Sequence, residues 1–245
     1  MKIEFIHHSS VIVELEKHVL VFDYIKGDNE KFKFEGELPA LSNDKDIYFF
    51  VSHSHEDHYD SSILDIQKNN PHVYIVADKS VGIGESGFFM KDKVFSKPAL
   101  KVDFGKKYKY NDIEIKTLKS TESGVAFCVY CEDKKIYFAG DLALWYWEGV
   151  GDLINGREMS AYKREINKLT SESWDVAFVP LDPRMKSHAG DGMKYFMENV
   201  DCNFIVPIGT WNDFSTIKTF KSMCSNSAFA MRLCDINHIN EILKN

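Results

Sequence analysis

The chain has no run of about eighteen apolar residues, which excludes a conventional membrane-spanning helix. Its start, Met1-Lys2-Ile3-Glu4-Phe5-Ile6, carries a glutamate where a signal peptide needs an unbroken apolar stretch, so a cytoplasmic location is the default expectation. Positive charge is in short supply. Lysine and arginine total 30 against 37 acids, giving a net charge of -7 and a pI near 5.7, and the lysines are scattered. A protein that coats nucleic acid needs a basic face, so nucleic acid is not an expected partner and neither is a membrane. A small-molecule substrate is the better expectation; oligomeric state is left open. Cysteine is sparse and odd in number: Cys128, Cys131, Cys202, Cys224 and Cys234 mostly sit in apolar runs, as reduced core thiols do. Cys128 and Cys131 form a Cys-x-x-Cys, but on a strand residues three apart point to opposite faces, which argues against a shared metal or redox pair. No linker and no solenoid-period repeat interrupts the chain, and 44% apolar residues suffice for a sizeable core, so one domain over 1–245 is expected.

Against these absences stands Val51-Ser52-His53-Ser54-His55-Glu56-Asp57-His58-Tyr59-Asp60, which follows the apolar run Ile47-Tyr48-Phe49-Phe50-Val51 at the end of an expected buried strand. Only nine histidines occur in the whole chain, yet three of them fall within six residues here. In an extended segment His53 and His55 share a face, and the following turn can aim Asp57 and His58 into the same space. Imidazole and carboxylate converging in this way are ligands for borderline divalent metals such as zinc.

From the amino end, residues 2 to 23 read as strands, with Val11, Val13 and Leu15 alternating, a turn at Glu16-Lys17-His18, and the run Val19-Leu20-Val21-Phe22 ending on Asp23. His7-His8 lie between the first two strands and by themselves read as hydrogen-bonded loop residues. Residues 24 to 46 read as a long connection. A helix is expected over Ser61 to Lys68 and a strand over His72 to Ala77. Short strands follow at Val94-Phe95, Leu100 to Phe104, Lys107 to Tyr110, Ile113 to Leu118, Val125 to Cys131 and Lys135 to Ala139, as an antiparallel meander. Met159, Tyr162, Ile166 and Leu169 mark a helical face. Next come a strand at Val176 to Val179 closed by Pro180, a helix at Gly192 to Asn199, a strand at Phe204 to Val206 closed by Pro207, and a helix at Phe214 to Met223. Strands first, then alternating helices and strands, suggest two packed sheets flanked by helices. Gly140-Asp141, after the strand Ile136-Tyr137-Phe138-Ala139, offers a carboxylate at a second strand end and is the best distant partner for the histidines.

The segment His53-Ser54-His55-Glu56-Asp57-His58 matches the His-x-His-x-Asp-His signature of the metallo-β-lactamase fold superfamily, and Gly140-Asp141 resembles its later bridging aspartate. Spacing and element order agree with the family over nearly the whole chain. The branch it resembles is that of small stand-alone, lactonase-like metal-dependent hydrolases, since there is no room for an added nuclease domain. The resemblance implies an α+β fold, a four-layer αββα sandwich with a dinuclear centre between its halves. His53 and His55 would hold one metal, Asp57 and His58 the other, and Asp141 would bridge them. The metal, zinc first with manganese or iron as alternatives and one or two ions in number, would activate a water against a small ester, lactone or phosphoester. Asp57 would also orient or deprotonate that water. Asp23 resembles the family's early aspartate that supports the histidine loop, and His8 is placed in a supporting role beside it.

The sequence departs from the family pattern twice. A histidine shortly before the bridging aspartate is replaced by Lys119-Ser120-Thr121-Glu122-Ser123-Gly124, and one after a late strand by Gly209-Thr210-Trp211. Glu122 is a candidate replacement for the first, and His188 or Asp213 for the second. The competing expectation is a non-catalytic or metal-poor member with a binding or regulatory role. On the substrate side, Trp145 in Trp145-Tyr146-Trp147 is a candidate pocket wall. Arg184, one of four arginines, is a candidate clamp for a carboxylate or phosphate, with a structural pair to Asp182 as the alternative.

Overall fold

Alternation along the early strands sorts their side chains into two separate cores. In the computed structural model, which describes residues 1–27, 32, 34–82 and 98–243, the chain begins with β1 (Lys2–His7), β2 (Ser10–Glu14), β3 (His18–Phe22) and β4 (Asp46–Val51). These are followed by α1 (Ser62–Asn69), β5 (Val73–Asp78) and β6 (Leu100–Val102). On β3, Leu20 and Phe22 face the middle of the molecule while Val19 and Val21 face α1; on β4, Tyr48 and Phe50 face inward while Ile47, Phe49 and Val51 pack with Ile63 and Leu64 of α1.

The second half contributes β7 (Lys107–Tyr110), β8 (Ile113–Lys119), β9 (Val125–Cys131) and β10 (Lys134–Phe138) as an antiparallel meander. It continues through α2 (Asp152–Ile166), β11 (Ser173–Pro180), α3 (Asp191–Asn199), β12 (Asp201–Ile208), α4 (Phe214–Met223) and β13 (Glu241–Leu243). One sheet has the order β13-β1-β2-β3-β4-β5-β6 and the other β12-β11-β10-β9-β8-β7. Phe22 joins them, stacking on Phe50 and on Phe138 with ring centres 4.8 Å away in both cases. On the far side of the second sheet Tyr137 stacks on Phe196 of α3 at 5.5 Å, and the Tyr162 hydroxyl of α2 donates to the Gly192 carbonyl. The layers are therefore helix, sheet, sheet, helix, the αββα order that the resemblance implies. No helix among the described residues is long and apolar enough to cross a membrane.

Topology sends the chemistry to one edge. β3 and β4 are parallel and in register, so Phe22 and Phe50 end together; β10, β11 and β12 are parallel likewise. The β1–β2 turn lies beside the end of β3 through the Val11–Phe22 pairing, and the β8–β9 turn lies beside the end of β10 through Phe127–Phe138. Two backbone hydrogen bonds tie the edge together: Val125 N–H donates to the Ser52 carbonyl at 3.1 Å, and Gly209 N–H to the His8 carbonyl at 3.1 Å.

At the opposite edge His18 belongs to β3 rather than to the expected turn. Its ring is buried with Nδ1 at 2.6 Å from Glu132 and Nε2 at 3.1 Å from Asp112, while Glu132 also accepts from the Glu16 and Lys17 amides. The expected strand to Phe104 stops at Val102, because Asp103 and Gly105 turn back onto Thr117. Pro207 lies inside β12 instead of closing it, which an edge strand tolerates because its outer N–H positions need no partner. The Val94-Phe95 strand lies outside the described residues. All five cysteines are buried and unbridged, and burial pushes the thiols of Cys131, Cys202 and Cys234 up to about 12.

Two glycines are fixed by close approach. Gly124 has φ +68, and a Cβ there would lie 2.0 Å from the Ser52 carbonyl oxygen; Gly140 has φ +51, and a Cβ would lie 2.7 Å from the Ser52 Cβ. Gly156, by contrast, is exposed within α2 with nothing near its would-be Cβ. Equilibrium urea unfolding is therefore expected to show opposite signs. Gly124→Ala should destabilise by about 2 kcal/mol or more through forced φ and backbone clash, whereas Gly156→Ala should stabilise by about 0.5–1 kcal/mol through helix propensity.

Candidate metal centre

Asp23 leaves the end of β3 with φ 41, a left-handed conformation that turns its carboxylate under the next strand end. Ser52 N–H donates to Asp23 Oδ1 at 2.7 Å, and Ser52 Oγ to Oδ2 at 2.6 Å. His58 Nδ1 sits 2.7 Å from the same Oδ2. Since the Ser52 hydroxyl proton is committed to Asp23, its oxygen accepts from His53 Nδ1 at 2.9 Å. One buried carboxylate thus sets the tautomer of two imidazoles, His58 directly and His53 through a hydroxyl, leaving Nε2 of each to face the centre. His53 Nε2 is buried with no hydrogen-bond partner, 3.5 Å from Asp141 Oδ2. A buried unpartnered ring nitrogen is costly, and a cation is what its lone pair fits.

Besides the Asp23, His53 and His58 set just described, two candidate donor groups share this edge. His53, His55, Glu122 and Asp141 present donor atoms that all lie within 4.8 Å of one another. Here the β8–β9 turn, closed by Gly124 against Ser52, brings Glu122 Oε2 to 3.8 Å from His55 Nδ1. The second group is His8, Asp57 and His58. Asp141 stands between the groups, with Oδ1 3.2 Å from His58 Nε2 and Oδ2 toward His53. A turn in which the His58 and Tyr59 amides donate to the His55 carbonyl folds Asp57 back to 3.7 Å from His58 Nε2. The donors are imidazole nitrogen and carboxylate oxygen without thiolate, a set that zinc, manganese and iron all accept.

The ionisation pattern suits cations too. Burial pulls His53 down to about 4, helped by neighbouring His58, so it is neutral at pH 7. Burial also opposes charge on Asp141, yet His58 and His53 hold its carboxyl down to about 2. Asp57 is likewise held well below the usual carboxylate range, by His8 and His58 against burial. Burial lowers His58, but Asp141 and Asp23 together raise it well above an ordinary histidine. Asp141 Oδ1, 3.2 Å from His58 Nε2, favours a proton there, and a cation held by this pair would displace it.

His8 is closer to the centre than a loop residue needs to be. Its Nε2 lies 3.6 Å from Asp57 Oδ2, but Trp211 N–H donates to its Nδ1 at 3.3 Å, so the ring proton sits on Nε2 and points at Asp57. In this geometry His8 supports Asp57 and keeps its lone pair turned away. The structure brings Glu122 to the centre and leaves the other two candidate replacements outside both groups. His188 pairs with Asp191 at 2.8 Å and stacks on Tyr146; Asp213 caps α4, accepting from the Ser215 amide at 3.1 Å. Where the resemblance places a late histidine, the chain has Gly209-Thr210-Trp211, with Trp211 at φ 52.

A cleft of about 590 Å³ opens over the candidate ligands, and Trp145 and Arg184 both line it. Trp145 is buried and donates from Nε1 to the Asp141 carbonyl at 3.2 Å. Arg184 is paired to Asp182 through Nε and Nη2, the structural alternative anticipated for it. Trp147, in the same aromatic cluster as Trp145, lines the cleft as well. Sequence reasoning missed Ser52, the cleft-lining Trp211, and Thr121, whose hydroxyl accepts from the Ala143 amide and donates to the Ala143 carbonyl at 2.6 Å. Ser52 is legible only as a hydroxyl at a strand end, which many chains have.

No protein-family model matches the chain. A Flavobacterium johnsoniae protein named as a metal-dependent hydrolase is 29% identical over 157 residues, 60% of this chain and 64% of the relative, so the match spans less than two thirds of that protein. Among solved structures, the isothiocyanate hydrolase from Delia radicum gut bacteria aligns with 100% of this chain and 99% of its own at a TM-score of 0.57 and 13% identity. The metallo-β-lactamase fold protein YhfI from Bacillus subtilis aligns with 99% of each chain at 0.57 and 11% identity. The Streptomyces venezuelae diiron β-hydroxylase CmlA aligns with 100% of this chain and 54% of its own at 0.61 and 10% identity. The chain has the metallo-β-lactamase fold.

Replacing Asp23 with asparagine keeps its shape and removes the acceptor that fixes His53 and His58. Chelator competition is expected to show zinc affinity falling about 10–100-fold, with Ser52→Ala weakening it less; unchanged affinity in both variants would mean that the relay does not orient the ligands.

Proposed function

We propose that the chain is a metal-dependent hydrolase acting on a small ester, lactone or phosphoester. The single observation that carries the reading is the pairing of a four-donor group, His53, His55, Glu122 and Asp141, with a neighbouring Asp57, His58 and His8 group, Asp141 Oδ1 lying 3.2 Å from His58 Nε2. Zinc is the proposed ion, with manganese and iron suited to the same donors. When bound, such a cation lowers the pKa of water and polarises the electrophile.

The rest of the chemistry falls to the chain's own side chains. Asp57, ionised and facing the shared space, accepts a hydrogen bond from the attacking water and orients it; His8 holds that carboxylate in place from behind. Trp145 fixes the Asp141 backbone and, with Trp147 and Trp211, shields the floor of the cleft from bulk water. Glu122, half-exposed at the mouth, completes the donor set where the family resemblance would place a histidine. The relatives' names support this reading as far as metal dependence and hydrolysis, and they leave the substrate open.

The two groups are unequal, because the His8 lone pair is turned away from the second one. A metal titration of chelator-treated protein should accordingly resolve one tight and one weaker equivalent, with hydrolysis of model esters following metal content. Glu122→Ala should remove the tight phase. Less than about half an equivalent of metal after purification without chelator, with no gain on adding zinc or manganese, would instead favour a metal-poor protein with a binding or regulatory role.

A further inference from the structure

The cleft over the ligands has a wall chemistry of its own. Its apolar surface comes from Phe32, Trp145, Trp147, Val150, Ile154 and Trp211. Trp145 and Trp147 stack with planes 5° apart, and the rim residues Val150 and Ile154 are 40% and 51% exposed at the start of α2. Aliphatic and indole surface left open beside a pocket is what an apolar ligand covers.

The charged residues of the same wall point the same way. Among the described residues lining the cleft, Asp57, Glu122, Asp141 and Glu158 are acids and Arg184 is the one lysine or arginine. Arg184 is already matched. Its Nε donates to both Asp182 oxygens at 3.0 and 2.9 Å and its own amide to Oδ1 at 2.8 Å; Trp211 Nε1 also donates to this buried carboxylate, at 3.2 Å. The guanidinium lies 4.4 Å from the Trp211 ring centre and 6.0 Å from that of Trp147, so its plane serves the aromatic wall. A substrate anion on this wall would meet a cation already countered by Asp182 and, beside it, Glu158, which has no ion pair among the described residues.

Taking the hydrolase reading as given, we infer that the site prefers esters or lactones with an uncharged aryl or alkyl body, seated against Trp147, Ile154 and Trp211, over those whose body carries a negative charge. The geometry makes Trp147 a specificity-determining residue and Arg184 a wall-building one.

Three of the chain's four tryptophans line the cleft, the fourth being the core residue Trp174, so intrinsic fluorescence reports occupancy directly. The probes are benzylacetone, a neutral aryl ketone that is not hydrolysed, and its para-carboxylate derivative, titrated into zinc-loaded and into chelator-treated protein. Benzylacetone is expected to quench saturably in both forms, to bind about tenfold more tightly than the carboxylate, and to lose about tenfold in Trp147→Ala. Arg184→Met should change the carboxylate affinity less than about twofold. Absence of saturable quenching by benzylacetone overturns the inference. So does equal or tighter binding of the carboxylate that is lost in Arg184→Met, which would make Arg184 an anion clamp. Because the probes need neither turnover nor metal, failure here is distinguishable from failure of the hydrolase reading, which is read from metal content and ester cleavage.

Discussion

The carboxylate of Asp23 is the constraint on which the functional edge depends. A fully buried carboxylate is tolerated only when its oxygens are hydrogen-bonded, and every donor it takes comes from the loop after the neighbouring strand: the Ser52 amide, the Ser52 hydroxyl and His58. Satisfying that charge forces the loop to fold back over the strand end, and the ring nitrogens are aimed as a consequence. Gly124 and Gly140 then let the second sheet approach Ser52 closely enough to deliver Glu122 and Asp141 to the same place. Candidate ligands separated by some ninety residues therefore meet where one buried charge and two missing side chains bring the strand ends together.

Much of the fold was legible because it rests on local rules. The period-two runs of β3 and β4 divide between two cores as alternation demands, and the meander from Lys107 to Phe138 follows its turn signals. Where the reading slipped, a tertiary partner intervened. His18 extends β3 because Glu132 and Asp112, more than ninety residues away, occupy both of its ring nitrogens. Pro207 stays within β12 because that strand is at an edge.

The site was legible to the extent that its residues are contiguous. His53, His55, Asp57 and His58 announce themselves by spacing, and Asp141 by its place after a strand. The approach of His8 to Asp57 depends on the β1–β2 turn lying over the end of β3, and on Trp211 and Asn212 gripping its ring and amide. No local pattern encodes that. His188 and Asp213 show the converse: both have the right chemistry for ligands, and both are spent on nearer partners, one on Asp191 and one on the first turn of α4. Arg184 likewise looks like an anion receptor in sequence, and the structure shows its charge already answered by the residue two positions before it.

The buried thiols have a further consequence. Thiolate is the reactive form, and in the folded chain burial keeps the sulfurs both protonated and out of reach. Alkylation can therefore proceed only through opening events. Cys128 and Cys131 lie in the middle of the second sheet, Cys202 on its edge strand, and Cys224 and Cys234 beyond it. The chain thus carries its own spatially resolved clock for local unfolding, in which the order of labelling reads the order in which the second half comes apart.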